Sequence, residues 1–427
     1  MIPAVLERVA GIDVHKKFLT VCVMMGPAYA NPEVKKRKFG TLNAEVEELR
    51  AWLRELDCQP VVMESTGSYW KPVFNILDDG WFQVTLANPQ QVKNLRGHKT
   101  DMKDCVWLAH LHRHGMIRAS YIPPRAVREL RDLTRRRKQL IRNAADERNR
   151  IQKLLEEANV KLGNVLTDVL GASGTAILVA LIQGQTSPEQ MARLAKPQAR
   201  KKIPQIQAAL EGNRLTAAHR ALLQQGLEHL AFLDEQIQQM EDSIQRKISA
   251  SGFAQVNRRL QTVTALKADS AAVVLAEIGP DVRAFPNSKK LTSWAGVCPG
   301  NNESGGKRKS GRTTKGNPYL RDMLLEVAWG SSHKKNSAQQ QRYLHLTPRK
   351  GHKRAILAVA HATLRAVYWV LSTGQDWVDQ SQSPDTRQTS RLIRHHTRRL
   401  RRLRCILHPS NKKAPLELAE NQELMDT

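Results

Sequence analysis

Hydrophobic and polar positions change rhythm three times along this chain. From residue 8 to 125 short apolar runs alternate with helical spacing. Val9–Met25 is β-branched and apolar around Gly11-Ile12-Asp13, and Lys35–Phe39 is placed to pair beside it. Asn43–Leu56 has helical spacing, Pro60–Met63 reads as a short buried strand and Trp70–Leu77 as a helix. Trp81–Leu86 is a further strand before Asn88-Pro89, and Asp101–His114 a further helix. That alternation predicts a mixed sheet covered by helices, closed by Tyr121-Ile-Pro-Pro124.

Past this point the pattern is helical. Residues 126–158 form one long, highly charged helix. A second spans 215–249, where Leu223, Leu227, Leu230, Leu233, Ile237, Met240, Ile244 and Ile248 step by three or four, the spacing of a coiled-coil seam. A Gly- and Ser-punctuated helical insert, 160–212, lies between them. Two readings stay open: an antiparallel hairpin that only spaces domains, or a dimerising element. In the next stretch Leu260–Ile278 reads as one helix, Lys289–Ala295 as a short one, and 296–318 as a loop with no hydrophobic period. Tyr319–Trp329 and Lys353–Leu371 are apolar helices. The tail is polar except for Arg391–Arg404, which holds seven arginines and reads as a solvated or phosphate-touching face. The divisions are therefore 1–125, 126–254, 255–374 and a basic, mobile tail, 375–427.

Composition narrows the function. The 427 residues carry 67 Lys and Arg against 40 Asp and Glu, a net charge of +27, and 41% are hydrophobic. A core is affordable, which excludes wholesale disorder, and the charge calls for a polyanionic partner, nucleic acid first. Ribosomal and histone-like binders are usually far shorter. The five cysteines include no Cys-x-x-Cys pair, which argues against a zinc ribbon or a secreted disulfide framework. The first residues lack a signal-peptide core, and Ala355–Leu371 is interrupted by His361 and Arg365, so it reads as a packed helix and not a membrane span. The expected compartment is the cytoplasm.

Four acids stand out. Asp13 lies mid-strand, where Asp is disfavoured, and Glu64 ends the apolar run Val61-Val62-Met63. Asp101 and Asp104 are three apart, on one face of the helix they begin. Carboxylates at strand ends of an α/β domain converge where ligands bind, and clustered they repel unless cations neutralise them. Hard oxygens suit Mg2+, with Mn2+ as the other candidate, and two such ions polarise a phosphodiester. Taken singly, Asp101 is also a plausible helix cap and Asp104 a solvent residue. Sugar-kinase and actin-like folds share the Gly-Ile-Asp opening but need an Asp-x-Gly-Gly-Thr phosphate loop, which this chain lacks. A second constellation spans Trp294–Asn317, where Lys307, Arg308, Lys309, Arg312 and Lys315 surround small residues that allow close approach to phosphates. It contains Ser304 and Ser310. Spacing alone favours a phosphate-binding loop over a nucleophile and does not choose between the serines.

Gly11-Ile-Asp-Val-His-Lys16, Met63-Glu-Ser-Thr-Gly67, Lys99-Thr-Asp-Met-Lys-Asp104 and Cys298-Pro-Gly-Asn-Asn-Glu-Ser-Gly-Gly-Lys307 together resemble the DEDD transposases of bacterial insertion sequences. Leu130-Arg-Asp-Leu-Thr-Arg135 and Leu170-Gly-Ala-Ser-Gly174 extend the likeness, which runs from about residue 8 to 374. The resemblance implies a RuvC-type, ribonuclease-H-like domain with Asp13, Glu64, Asp101 and Asp104 as its Mg2+ ligands. It also implies a mainly helical transposase domain whose nucleophile position falls on Ser304. In that family the domains act across protomers of a dimer or tetramer linked through the coiled coil, and a noncoding bridge RNA pairs with element-end and target DNA. One departure is visible: a Pro-Gly-Ile-Gly-like hairpin of the family is replaced by Thr264-Ala265-Leu266-Lys267. The implied activity is RNA-guided recombination. The alternatives are a RuvC-like junction nuclease acting by hydrolysis, or an inactive nucleic-acid-binding relic.

Overall fold

A computed structural model of the protein describes residues 4–64, 67–88, 101–184, 186–300 and 302–379, with 396, 397 and 400; of residues 101–103, 302–304, 308 and 309 it describes the backbone alone. The arginine run at 391–404 falls almost wholly outside. The chain divides into two compact units, Met1–Pro124 and Arg125–Thr427.

The first unit is built on a five-stranded sheet in the order β3-β2-β1-β4-β5. The stretch expected as one apolar run, Val9–Met25, is two antiparallel strands, β1 (Arg8–Val14) and β2 (Phe18–Met25), because His15-Lys16-Lys17 interrupts it with a turn. β3 (Glu33–Gly40) continues the meander, while β4 (Pro60–Glu64) pairs parallel to β1 and β5 (Gln83–Ala87) parallel to β4. Side chains alternate across a strand, and here that alternation sorts the core. Ala10, Ile12, Val14, Val61 and Met63 pack with the apolar faces of α1 (Asn43–Glu55) and α2 (Trp70–Leu77). Val9 and Val62 point the other way, toward α3 (Asp101–Arg113), where they meet Cys105 and Ala109, and Leu108, respectively.

The second unit is mainly helical. Its two longest helices, α4 (Arg125–Glu157) and α8 (Ala217–Ala250), lie antiparallel. Residue numbers fall along α8 as they rise along α4: Glu129 meets Lys247, Arg137 meets Glu241 at 2.5 Å, Glu147 meets His229 at 3.1 Å and Arg148 meets Asp234 at 3.4 Å. Leu223, Leu230 and Leu233 of the predicted seam are buried in one cluster with Ile151 and Leu155 of α4. Much of the seam is thus used inside the chain, with Leu227, Ile237 and Met240 only partly buried. Between the two helices, α5 (Ala172–Gln183), α6 (Pro188–Arg193) and α7 (Ile203–Leu210) close on the same cluster.

The single helix expected over Leu260–Ile278 is two, α9 (Ala254–Leu260) and α10 (Ala268–Ile278). The break holds the Thr264–Lys267 departure, and Ala265 there has φ +65°, a left-handed conformation that disfavours any residue with a Cβ. Thr264 Oγ1 donates to Asp379 Oδ2 at 3.0 Å, and the Trp377 amide donates to Thr262 Oγ1 at 2.7 Å, so residues just past 375 are tied down where a mobile tail was expected. After α11 (Ser288–Trp294) the segment expected as a bare loop contains a hairpin, β6 (Asn302–Ser304) with β7 (Lys307–Ser310). Then come α12 (Pro318–His333), α13 (Ala338–Lys350), which the hydrophobic pattern did not predict, and α14 (His352–Thr373). By length and composition α14 could cross a membrane, yet half of it is buried in this unit, through Ala355, Val359, Leu364 and Val367 among others.

Candidate active site

Asp13 shares the face of Val9 by strand alternation, and Glu64 that of Val62, so both belong to the side on which α3 packs. The parallel register that pairs Ile12 with Met63 makes the two acids neighbours at adjoining strand ends. Helix α3 comes close because residue 11 is glycine: a Cβ there would lie 2.3 Å from the Cys105 carbonyl oxygen and 2.6 Å from the Ala109 nitrogen. Seating Cys105 over Gly11 brings Asp104, one residue earlier, into the field of Asp13. Asp101 begins the same helix one turn before, and its carboxylate lies outside the described residues.

Burial and neighbouring charges both act on Asp13. Asp13 is only 17% exposed, and burial lifts its carboxyl above the ordinary value. His15 opposes that lift, while Asp104 and Glu64 add to it by repulsion. Nε2 of His15 stands 2.9 Å from Oδ2 of Asp13, and its ring lies 4.4 Å from that of Phe18. Hydrophobic patterning did not single out His15; its signal was its place two residues after Asp13, the interval that returns a side chain to the same face. Among the described residues no three acidic, histidine or cysteine side chains converge to ligating distance. The donor set itself, all carboxylate oxygen and self-repelling, suits a hard divalent cation.

The second constellation belongs to the second unit. The Gly300 amide donates to the Arg312 carbonyl at 2.9 Å, Pro299 bridges Thr313, and Ser304 pairs with Lys307. Two residues remain at the tip, Gly305 (φ +57°) and Gly306 (φ +73°), the signs a type I′ hairpin requires at both central positions. Ser304 is the last residue before that turn. Lys307, Arg312 and Lys315 are exposed; the side chains of Arg308 and Lys309, like that of Ser304, are outside the described residues. Ser310 is engaged locally, its Oγ accepting from the Arg312 amide at 3.2 Å.

The hairpin's exit is anchored by a buried carboxylate that sequence reading passed over. Glu277 of α10 is 0% exposed. It accepts from Arg135 Nε and Nη2 at 2.8 and 2.9 Å and from Asn317 Nδ2 at 2.6 Å, and it stands 3.3 Å from Arg131 Nε. Asn317 also caps α12, its Oδ1 accepting from the amides of Tyr319 and Leu320 at 3.1 Å. Burial works against the Arg135 cation, but the hydrogen bonds and charge of Glu277 outweigh it and hold its pKa above the ordinary value. Glu277 was legible only as a polar residue inside the apolar run Ala271–Ile278.

Residues 10–160 match the model of a DEDD-type family described as transposase, and residues 257–345 that of the transposase IS116/IS110/IS902 family. A probable family 20 transposase of Pseudomonas aeruginosa is 27% identical over 285 residues, 66% of this chain and 73% of the relative. The transposase for insertion sequence element IS1111A of Coxiella burnetii is 24% identical over 380 residues, 86% of this chain and 90% of that one. Among solved structures, Thermus thermophilus RuvC aligns with a TM-score of 0.21 at 15% identity, over 26% of this chain and 99% of that chain.

Proposed function

The chain belongs to the IS116/IS110/IS902 transposase family and is an enzyme that cuts and rejoins DNA; on that premise we propose that it moves an insertion sequence by RNA-guided recombination through a covalent Ser304–phosphate ester. Asp13, Glu64, Asp101 and Asp104 would hold Mg2+, with Mn2+ as a substitute, in a RuvC-like first unit. The observation that supports this reading is the register that sets Asp13 and Glu64 at adjoining strand ends, with Gly11 letting α3 and its Asp104 approach the same face. An all-carboxylate donor set of this kind favours a hard divalent cation.

Bound there, Mg2+ supplies Lewis-acid stabilisation of charge at phosphorus. His15 orients Asp13 by its 2.9 Å contact. Ser304, presented at a hairpin tip beside exposed Lys307, is favoured over Ser310, whose oxygen already serves a turn. In the covalent step the Ser304 Oγ–P bond forms and the bond from phosphorus to one sugar oxygen breaks. The serine proton leaves to solvent, and the released sugar oxygen takes one up. Attack by a sugar hydroxyl of a second DNA end reverses the step, restoring both a phosphodiester and free Ser304, and so conserving bond energy that hydrolysis would lose. Exposed cations hold element-end DNA, target DNA and a bridge RNA by their backbones, and base pairing reads sequence. The working assembly is a homo-oligomer, a dimer or tetramer, in the cytoplasm.

The test is an excision assay in bacteria with the element's native flanks, amplifying the circular junction, beside trapping of a protein–DNA adduct in vitro. Wild type should give junction and adduct, and Asp13→Ala neither. Ser304→Ala should lose the adduct and the junction together. Junction product from Ser304→Ala equal to wild type would overturn the covalent step and favour hydrolysis at the carboxylates. Junction formation that survives deletion of the noncoding flank would overturn the RNA guide.

A further inference from the structure

Helices α12, α13 and α14 bring four rings together on the surface of the second unit. Trp329, in the last turn of α12, is 49% exposed. Its ring centroid lies 4.6 Å from that of His333 and 5.0 Å from that of His352, both in edge geometry. Tyr343 of α13 stands perpendicular to His352 at 5.6 Å, and its hydroxyl is 2.5 Å from His352 Nδ1. His352, at the start of α14, is thereby shared between the tryptophan and the tyrosine. The rings are fixed by one another while Trp329, His333 and His352 stay exposed, so little side-chain freedom remains to be lost on binding.

The charge around this cluster has one sign. From Val327 to Gln375 the sequence contains eight Lys and Arg and no Asp or Glu. Lys334, Arg349, Lys350, Lys353 and Arg354 are exposed, and among the described residues none has a carboxylate partner. On the N-terminal side, Asp322 binds Arg142 and Glu326 binds Lys138, both on α4, and past the window Asp379 accepts from Thr264 and from the Ala338 amide. An exposed apolar ring costs free energy in water, and unscreened cations repel one another. One class of ligand relieves both: a polyanion whose own aromatic faces are open.

The structure assigns this face to unpaired DNA, with a base stacked on Trp329 and the flanking backbone phosphates held by Lys350, Lys353 and Arg354. Duplex does not fit the chemistry, because its base faces are already stacked on their neighbours. DNA is chosen over RNA on the family assignment, since cutting and rejoining exposes unpaired bases beside the break. The face uses none of the cations of the Ser304 hairpin.

Fluorescence anisotropy of the full chain tests this without any cleavage, so its outcome is independent of the recombination reading. The probes are labelled dT20, U20 and a 20-base-pair duplex, each titrated across a salt series. Trp329→Ala should weaken dT20 binding about 5- to 100-fold, the range one aromatic–base stack supplies, and leave duplex affinity within about twofold. Trp329→Phe, which keeps a ring, should retain most of the affinity. Replacing Lys350, Lys353 and Arg354 with Gln should flatten the logarithmic salt slope for dT20 by about 2, while Trp329→Ala leaves that slope unchanged. Three results would overturn the proposal: dT20 affinity of Trp329→Ala within twofold of wild type, an equal loss on duplex, or a loss confined to U20. Matching melting curves for wild type and Trp329→Phe keep the comparison to folded protein.

Discussion

Replacing Glu277 with Gln should destabilise the second unit by about 3 kcal/mol. Gln keeps the shape but removes the charge and turns one acceptor oxygen into an NH2 facing the N–H donors of Arg135 and Asn317. Arg131 and Arg135, 18% and 34% exposed, would face an uncharged group in a site where Glu277 had no exposure at all. Breaking a fully buried pair costs about 3–5 kcal/mol, and the partial exposure of Arg135 returns some of that to water. At about 2–4 °C per kcal/mol for a unit of this size, the melting transition should fall by roughly 6–12 °C, read by calorimetry at neutral pH. The partner substitution Arg135→Gln should be strongly coupled to Glu277→Gln in a double-mutant cycle, by about 1.5 kcal/mol or more. A shift under about 2 °C, or additive effects of the two changes, would show that water and not Glu277 neutralises these guanidiniums, and the anchoring of Asn317 would fail with it.

Other outcomes are equally open to measurement. Ala265→Gly should raise stability by about 1 kcal/mol, because the φ of +65° costs a Cβ-bearing residue that much; thermal melting checks it, and no gain would mean the turn relaxes freely. Gly11→Ala should cost about 1–3 kcal/mol and displace α3, so DNA cleavage should fall with stability even though no acid has changed. Cys22 and Cys58, whose thiols burial pushes up to about 12, should resist a disulfide reagent at pH 8 in the native protein and react at once in denaturant. Their raised values favour the folded thiol, so stability should fall as pH rises from the ordinary thiol range, near 9, toward 12. Flat stability across that window would contradict their burial.

Much of the first unit was legible because strand alternation is a short-range rule. Once β1 and β4 are placed, period two puts Asp13 and Glu64 on the face of Val9 and Val62, and the spacing of Asp101 and Asp104 gives α3 its acidic start. The hairpin of residues 302–310 was not legible, because Asn302-Glu-Ser and Lys307-Arg-Lys-Ser310 are polar and carry no hydrophobic period; only Gly305-Gly306 hinted at a tight turn. Helix α13 escaped for a related reason, having Gln339 as its buried residue and Pro348 near its end. The seam along α8 was visible in spacing, but periodicity says that an apolar stripe is covered and not by which chain. Glu277 was hidden by its surroundings, since a buried carboxylate makes sense only when Arg131, Arg135 and Asn317 arrive from distant parts of the sequence.

The antiparallel pair of α4 and α8 has a mechanical consequence. With 33 residues, α4 is about 50 Å long. Arg131 and Arg135, near its beginning, are fastened to the helix that holds the exit of the serine hairpin, whereas α5, α6 and α7 close on its far end around Ile151 and Leu155. Length insulates the two ends: a repacked or enlarged far end strains its own small core, and several helical turns separate that strain from Glu277. A substitution in the small core around Ile151 and Leu155 is therefore expected to leave the Glu277 contacts in place. The rod thus keeps the packing at its tip mechanically apart from the anchoring at its root.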